Sequence, residues 1–443
     1  LIAWLAFVLA ALASIVAWPL LARAAAARIT FVAISAGFAY WYWIPAVNIL
    51  LGGYLGEDVV VPDPVVARDT VWMVLLYHLA AIGALAAVAV AVDPQPAALR
   101  QRREPALPWT IIGAGVMATA AALFLWYFAD KGIGIAFQVL TGGVSARELM
   151  EFDNFSASIA DSLRALLEMA VIFSALFLIA VATLERRLVS LASGFAFVAV
   201  ILVFLGTGTR ATLLMALVVI ALAMASGRRV AARRTSSGRL VAGLLLVTAL
   251  VVPIFLAISA RQAVGTGDTN PVLGILVVNN DMFRELVFVM GQMQGYRSAS
   301  PVDFLMTAFT YVTPGFLGFS RQIPDHLLVF NMTRNGIDLI LGSGNVFPGI
   351  VADFQLVFGL AGAIAFAGFI SGFALAIGQY GRLYPQGRVL AAAQCAVAAF
   401  LFFSFRNMHP GLVLVMIGAA AGLWALERLE PLLRARLPDA RRA

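Results

Sequence analysis

Runs of about twenty consecutive apolar residues, the length needed to cross a hydrocarbon core, recur along nearly the whole chain. In lipid every backbone N–H and C=O must be paired within the structure, which leaves two solutions, helices or a closed barrel. Stretches such as LVAGLLLVTALVVPIFLAIS (240–259) do not alternate as barrel strands do. The sequence therefore predicts an all-α, polytopic integral membrane helical bundle, a single transmembrane domain over residues 1–443. Composition agrees: 62% of residues are hydrophobic and 12% are charged, about half the charge fraction of a soluble domain.

Eleven spans are expected, at roughly 1–22, 29–52, 70–92, 108–129, 162–184, 188–206, 211–226, 240–259, 356–380, 389–405 and 411–427. Arginines gather in alternate connections: Arg23 and Arg28, Arg100 to Arg103, Arg186 and Arg187, Arg228 to Arg239, Arg382 and Arg388, and the tail from Arg428 onward. The positive-inside bias assigns that side and the C-terminus to the cytoplasm. An odd number of spans then puts Leu1 outside, an awkward start that predicts preceding residues in the natural chain and twelve or more spans in all. The first run lacks the basic start of a cleaved signal peptide. Lys131 is the single lysine, and a net charge of +7 spread over short loops does not suggest nucleic acid as a partner. One cysteine, Cys395, excludes an intrachain disulfide and a Cys-rich metal site.

Against this apolar background, residues 260–355 stand out as an external loop region. They carry Arg261, Asp281, Arg284, Glu285, Arg297, Asp303, Arg321, Asp325, His326, Arg334, Asp338 and Asp353. Ionisable groups at such density need water or a charged ligand within reach. The region is too apolar for free loop, and short surface-lying or re-entrant helices are expected within it. In DMFRELVFVM, Phe283, Leu286 and Val287 recur at helical spacing beside Arg284 and Glu285.

Four arginines from separate parts of the chain are expected at one depth on the external side. Arg210 lies in the tight turn GTGTR (206–210), Arg261 closes a span, Arg284 lies on the amphipathic segment, and Arg406 stands in SFRNMHP. A guanidinium suits bidentate contact with phosphate oxygens, and a boundary arginine facing the bundle is a functional candidate. Snorkelling to lipid phosphates is the simpler reading of Arg210, and internal pairing, with neighbouring acids for Arg284 and with Asp353 for Arg406, is the simpler reading of those two. Candidate acids and bases are Asp281, Glu285, Asp303 and His326, with Arg297, Arg334, Asp353 and His409 as further site candidates. His78, inside the third span, reads as a packing residue. The external segments contain no metal-binding signature such as DxD or HExxH, and no P-loop is present.

Two stretches resemble the bacterial O-antigen and exopolysaccharide repeat-unit polymerases: FLGTGTRATLLMALVV (204–219) and GSGNVFPGIVADFQLVFGLAGAIAFAGFISG (342–372). The spacing Arg284…Gly295 also fits an R-x10-G pattern found in some members of that family. The likeness covers roughly the last 240 residues, and the first 200 share its topology. It implies an integral-membrane glycosyltransferase fold in the bacterial inner (plasma) membrane, with the active site on the periplasmic side. The implied reaction transfers a growing glycan from undecaprenyl diphosphate onto a new lipid-linked oligosaccharide repeat unit. No cofactor, metal or nucleotide sugar is implied. Arg210, Arg261, Arg284 and Arg406 would hold the diphosphates, and Asp281, Glu285, Asp303 or His326 would serve as base. Membrane lipid is a partner, and the family's setting adds a chain-length regulator and a flippase. The alternatives are an O-antigen ligase of the same superfamily, which would show a stronger histidine motif than His326 provides, and a flippase or transporter of lipid-linked glycan. The absence of a visible internal repeat and the gathering of charge at one face favour the enzyme.

Overall fold

Three consecutive bulky aromatics, Trp41, Tyr42 and Trp43, are all buried. In an α-helix, three neighbours at 100° per residue spread over about 200° of the surface, so one partner could not cover them. The chain meets this with a π turn, Ala39–Trp43, set between α2 (Ala25–Phe38) and α3 (Ile44–Leu50), and each aromatic is received by a different element.

The computed structural model describes residues 2–22, 24–50, 63–91, 109–140, 159–185, 190–207, 211–226, 282–293, 296, 329–330, 332–334, 348–383 and 388–406. Every regular element among them is a helix. Besides α2 and α3 these are α1 (Ile2–Leu21), α4 (Pro64–Ala91), α5 (Trp109–Lys131), α6 (Gly134–Leu140), α7 (Ile159–Leu184), α8 (Leu191–Thr207), α9 (Ala211–Ser226), α10 (Met282–Gln292), α11 (Ile350–Phe358), α12 (Gly362–Leu383) and α13 (Arg388–Ser404). Among the described residues, five stretches are long and apolar enough to cross a membrane: Ile2–Leu21, Ala27–Val47, Pro64–Ala91, Trp109–Ala129 and Leu167–Leu184. Shorter apolar helices, Leu191–Thr207, Thr212–Met224, Gly362–Leu375 and Ala391–Ser404, coincide with four more of the expected spans. The expected spans 240–259 and 411–427 lie outside the described residues.

Two groups of helices are joined through a shared pair. One group contains α1, α2, α4 and α12; the other contains α5, α7 and α8. Helix α13 packs on both α2 and α7, and α9 packs on α13, α7 and α2. Small residues let the backbones approach: Ala3, Ala6 and Ala10 form the buried face of α1, which packs chiefly on α4. The opposite face of α1 leaves Leu12, Ile15 and Val16 exposed, as a lipid-facing helix would.

The aromatic run fixes the first group. Trp41 donates its indole N–H to the Phe402 carbonyl of α13 at 3.2 Å. Trp43 donates its own to Nδ1 of His78 on α4, also at 3.2 Å. The His78 ring lies stacked on Phe38, with centroids 4.4 Å apart, which is the packing role expected of it. The Tyr42 hydroxyl receives the Val351 N–H of α11 at 3.1 Å.

A correction concerns the expected span 356–380. The helix does not run through this stretch. α11 ends at Phe358, Gly359 turns with φ +57° and ψ −131°, a 3-10 turn covers Gly359–Ala361, and α12 begins at Gly362. A side chain rarely adopts the Gly359 conformation, so glycine permits the break. Hydropathy alone saw one apolar run where the backbone makes two helices.

Candidate functional site

Helix α10 is the amphipathic segment read from DMFRELVFVM. It buries Met282, Phe283, Leu286, Val287 and Val289 and packs against α4, α11, α3 and the π turn. Glu285 lies on its buried side, and its carboxylate is engaged from 49 residues further along the chain. Arg334, in the short helical segment at 332–334, donates its Nε–H to Glu285 Oε2 at 3.1 Å. The guanidinium also lies 5.3 Å from the centroid of the Phe288 ring. Glu285 and Phe288 are three residues apart and so share a helix face, and together they hold Arg334 by charge and by ring. Phe288 is itself braced edge-on by Phe330, at 5.8 Å and 86°.

The geometry leaves Arg334 with something to offer. Its Nε is used, whereas its two terminal amino groups make no hydrogen bond among the described residues. The side chain keeps 23% of its surface open, against 9% for Glu285. A guanidinium that uses one edge internally has a second edge with the geometry to bind an anion bidentately.

The start of α11 is closed by contrast. The Ile350 N–H donates to the Phe405 carbonyl at 3.3 Å, and the Val351 N–H donates to Tyr42 Oη. Two of the helix's unpaired N-terminal donors are therefore satisfied within the protein. Gly349 makes this docking possible. Its φ is +86°, and a Cβ there would lie 2.6 Å from the Tyr42 hydroxyl oxygen. Asp353, in the first turn of α11, is buried, and its charge acts on the nearby Tyr42 hydroxyl. A carboxylate in a helix's first turn is favoured by the helix dipole.

Five of the residues singled out in the sequence thus fall on elements that pack on one another. Arg284 and Glu285 lie on α10, and Arg334 is bonded to Glu285. Asp353 lies on α11, against which α10 packs, and Arg406 directly follows Phe405, whose carbonyl holds the α11 start. Arg284 is half-buried and Arg406 is exposed. Glu285, the acid next to Arg284 in the sequence, is engaged by Arg334. Asp281, Asp303, His326, Arg210, Arg261, Arg297 and His409 lie outside the described residues.

A second charged group escaped the sequence reading. Glu168, on α7, lines a narrow cleft with Tyr127 of α5 and Gly206 and Thr207 of α8. Arg164, one turn earlier on α7, has its guanidinium 5.1 Å from the centroid of the Tyr127 ring. The signal was present in DSLRALLEMAV, where an acid enters an apolar run four residues after an arginine. Tyr42 was also missed, hidden in a run that reads only as aromatic.

No protein-family model, no curated protein and no solved structure matches the chain.

Proposed function

We propose that the chain is a polysaccharide polymerase of the bacterial inner membrane. It transfers a growing glycan from undecaprenyl diphosphate to a new lipid-linked repeat unit at the outer face, without a metal. The observation that carries this reading is Arg334, held by Glu285 and Phe288 with its terminal amino groups bonded to none of the described residues. A departing diphosphate develops negative charge, and fixed donors aimed at it lower the barrier because they need no rearrangement during the reaction. Arg284 and Arg406, on neighbouring elements, supply further positive charge, and Arg210 and Arg261 belong to the same arginine set. In this reading Glu285 positions Arg334 and is not the base.

The test uses the full chain in nanodiscs with the lipid-linked repeat unit purified from the bacterium that encodes it, EDTA and no nucleotide. A ladder of glycan lengths that is lost in Arg334→Ala is the expected result. No ladder from the unaltered chain, with substrate moving across a vesicle membrane, would sink the reading. The broken helix at Gly359 favours that second reading, a transporter of lipid-linked glycan, because transporters build their sites at interrupted helices.

A further inference from the structure

Arg334 does not meet a ligand as a lone positive charge. Its Nε–H donates to Glu285 Oε2 at 3.1 Å, so the guanidinium arrives as half of a pair with no net charge. Holding the arginine in place does not require an acid. A neutral amide or a backbone carbonyl would accept the same Nε–H, and the Phe288 ring already backs the guanidinium at 5.3 Å. A carboxylate with only 9% of its side chain exposed is the costlier choice. Arg284, the preceding residue on α10, keeps its charge whatever stands at 285. The acid therefore sets how strongly this arginine pulls on an anion.

The chemistry of the ligand gives that setting a use. A lipid diphosphate that carries a glycan is esterified at both ends. When the glycan leaves, the electron pair of the broken bond stays on the diphosphate oxygen, and the freed end gains a further negative charge. An arginine with no acid beside it would hold this product more tightly than the donor and delay its release, the step that limits many enzymes. A fixed carboxylate repels each charge on the ligand, so it weakens the product more than the donor.

We propose that Glu285 is a counter-charge that loosens the grip of Arg334 on the freed lipid diphosphate and lets the product leave. The inference rests on the polymerase reading above. At a separation of about 6 Å, one opposed unit charge changes affinity by about 3-fold in bulk water and by about 100-fold at the effective dielectric of a protein surface. Arg334 keeps 23% of its side chain open, which favours the lower part of that range. The sign separates this role from a structural one. Losing a residue that only orients Arg334 weakens anion binding, whereas losing an opposing charge strengthens it.

The experiment uses the full chain in nanodiscs of zwitterionic lipid at mildly alkaline pH. The probes are inorganic pyrophosphate and its dimethyl diester, substituted at both ends. Glu285→Gln keeps an acceptor for the Nε–H and removes the charge. It is expected to bind pyrophosphate about tenfold more tightly than the unaltered chain, and its preference for pyrophosphate over the diester should rise about 3- to 10-fold. Product inhibition of the glycan ladder by undecaprenyl diphosphate should deepen in step. Arg334→Ala should lose pyrophosphate binding. If Arg334→Ala loses binding while Glu285→Gln binds both probes as the unaltered chain does, or more weakly, the counter-charge role alone is overturned. If Arg334→Ala binds pyrophosphate as the unaltered chain does, or if neither the unaltered chain nor Glu285→Gln binds it, the diphosphate site falls and this inference with it. No ladder from the unaltered chain overturns the polymerase reading, and this one with it. Should Glu285→Gln not purify as a monodisperse protein, the unaltered chain decides. With the acid in place its preference for pyrophosphate over the diester should stay under about tenfold, and a larger preference overturns the role.

Discussion

Removing Glu285 should cost stability and reposition Arg334, and the two effects can be measured separately. A single charge-assisted bond joins them, Nε to Oε2 at 3.1 Å, with the acid nearly closed off and the guanidinium 23% open. Hydrogen bonds to charged groups stabilise by about 1.5–3 kcal/mol, and fully exposed ion pairs contribute about 0–1 kcal/mol. A pair so placed belongs between, at about 1–1.5 kcal/mol. The assay is a double-mutant cycle with Glu285→Ala, Arg334→Ala and the double variant, unfolded from mixed micelles. A coupling energy of about 1–2 kcal/mol is expected. Values under about 0.3 kcal/mol, within the additivity error of distant sites, would refute the claim that Glu285 holds Arg334. Activity supplies the second reading. Glu285→Gln keeps an acceptor for Nε–H and should retain a rate within about tenfold, whereas a general base would lose 100-fold or more. Loss on that larger scale would return Glu285 to the role of base.

Three other outcomes follow from named contacts. Phe288→Leu removes the ring beneath the guanidinium and should cost about 0.5–1 kcal/mol, with a matching rise in KM for lipid-linked substrate; no change in either would mean the stacking is incidental. Gly349→Ala places a methyl 2.6 Å from the Tyr42 hydroxyl at φ +86°, and should destabilise by about 1–3 kcal/mol, read by thermal unfolding. Tyr42→Phe strips the acceptor from the Val351 N–H and should cost about 1–2 kcal/mol. Hydrogen exchange at Val351 should accelerate accordingly, and an unchanged exchange rate would show that another group takes that donor.

The helical class and the positions of the five long apolar helices were legible because a twenty-residue apolar run has few solutions in lipid. The period of Phe283, Leu286 and Val287 likewise announced α10. The interruption at Gly359 was not legible, because hydropathy is blind to the sign of φ and glycines are common in membrane helices. The Glu285–Arg334 pair joins residues 49 apart in a region without regular periodicity, so no local pattern relates them. Arg334 was singled out for its charge, but its orientation depends on Phe288, which reads only as part of an apolar face. Glu168 was overlooked for the opposite reason: one acid in an otherwise apolar segment barely lowers the average that defines a span.

The π turn is a residue count as much as a shape. It amounts to one residue inserted into an α-helix and absorbed by widening a single turn. Deleting a single residue between Ala39 and Trp43 would close that turn to ordinary α geometry and leave α3 near its present setting. Trp41, Tyr42 and Trp43 would shift within the turn, and could then no longer reach α13, α11 and α4 together. The helix carrying Glu285 packs on this same turn and on α11, so its seat depends on a residue count made some 240 positions earlier in the chain.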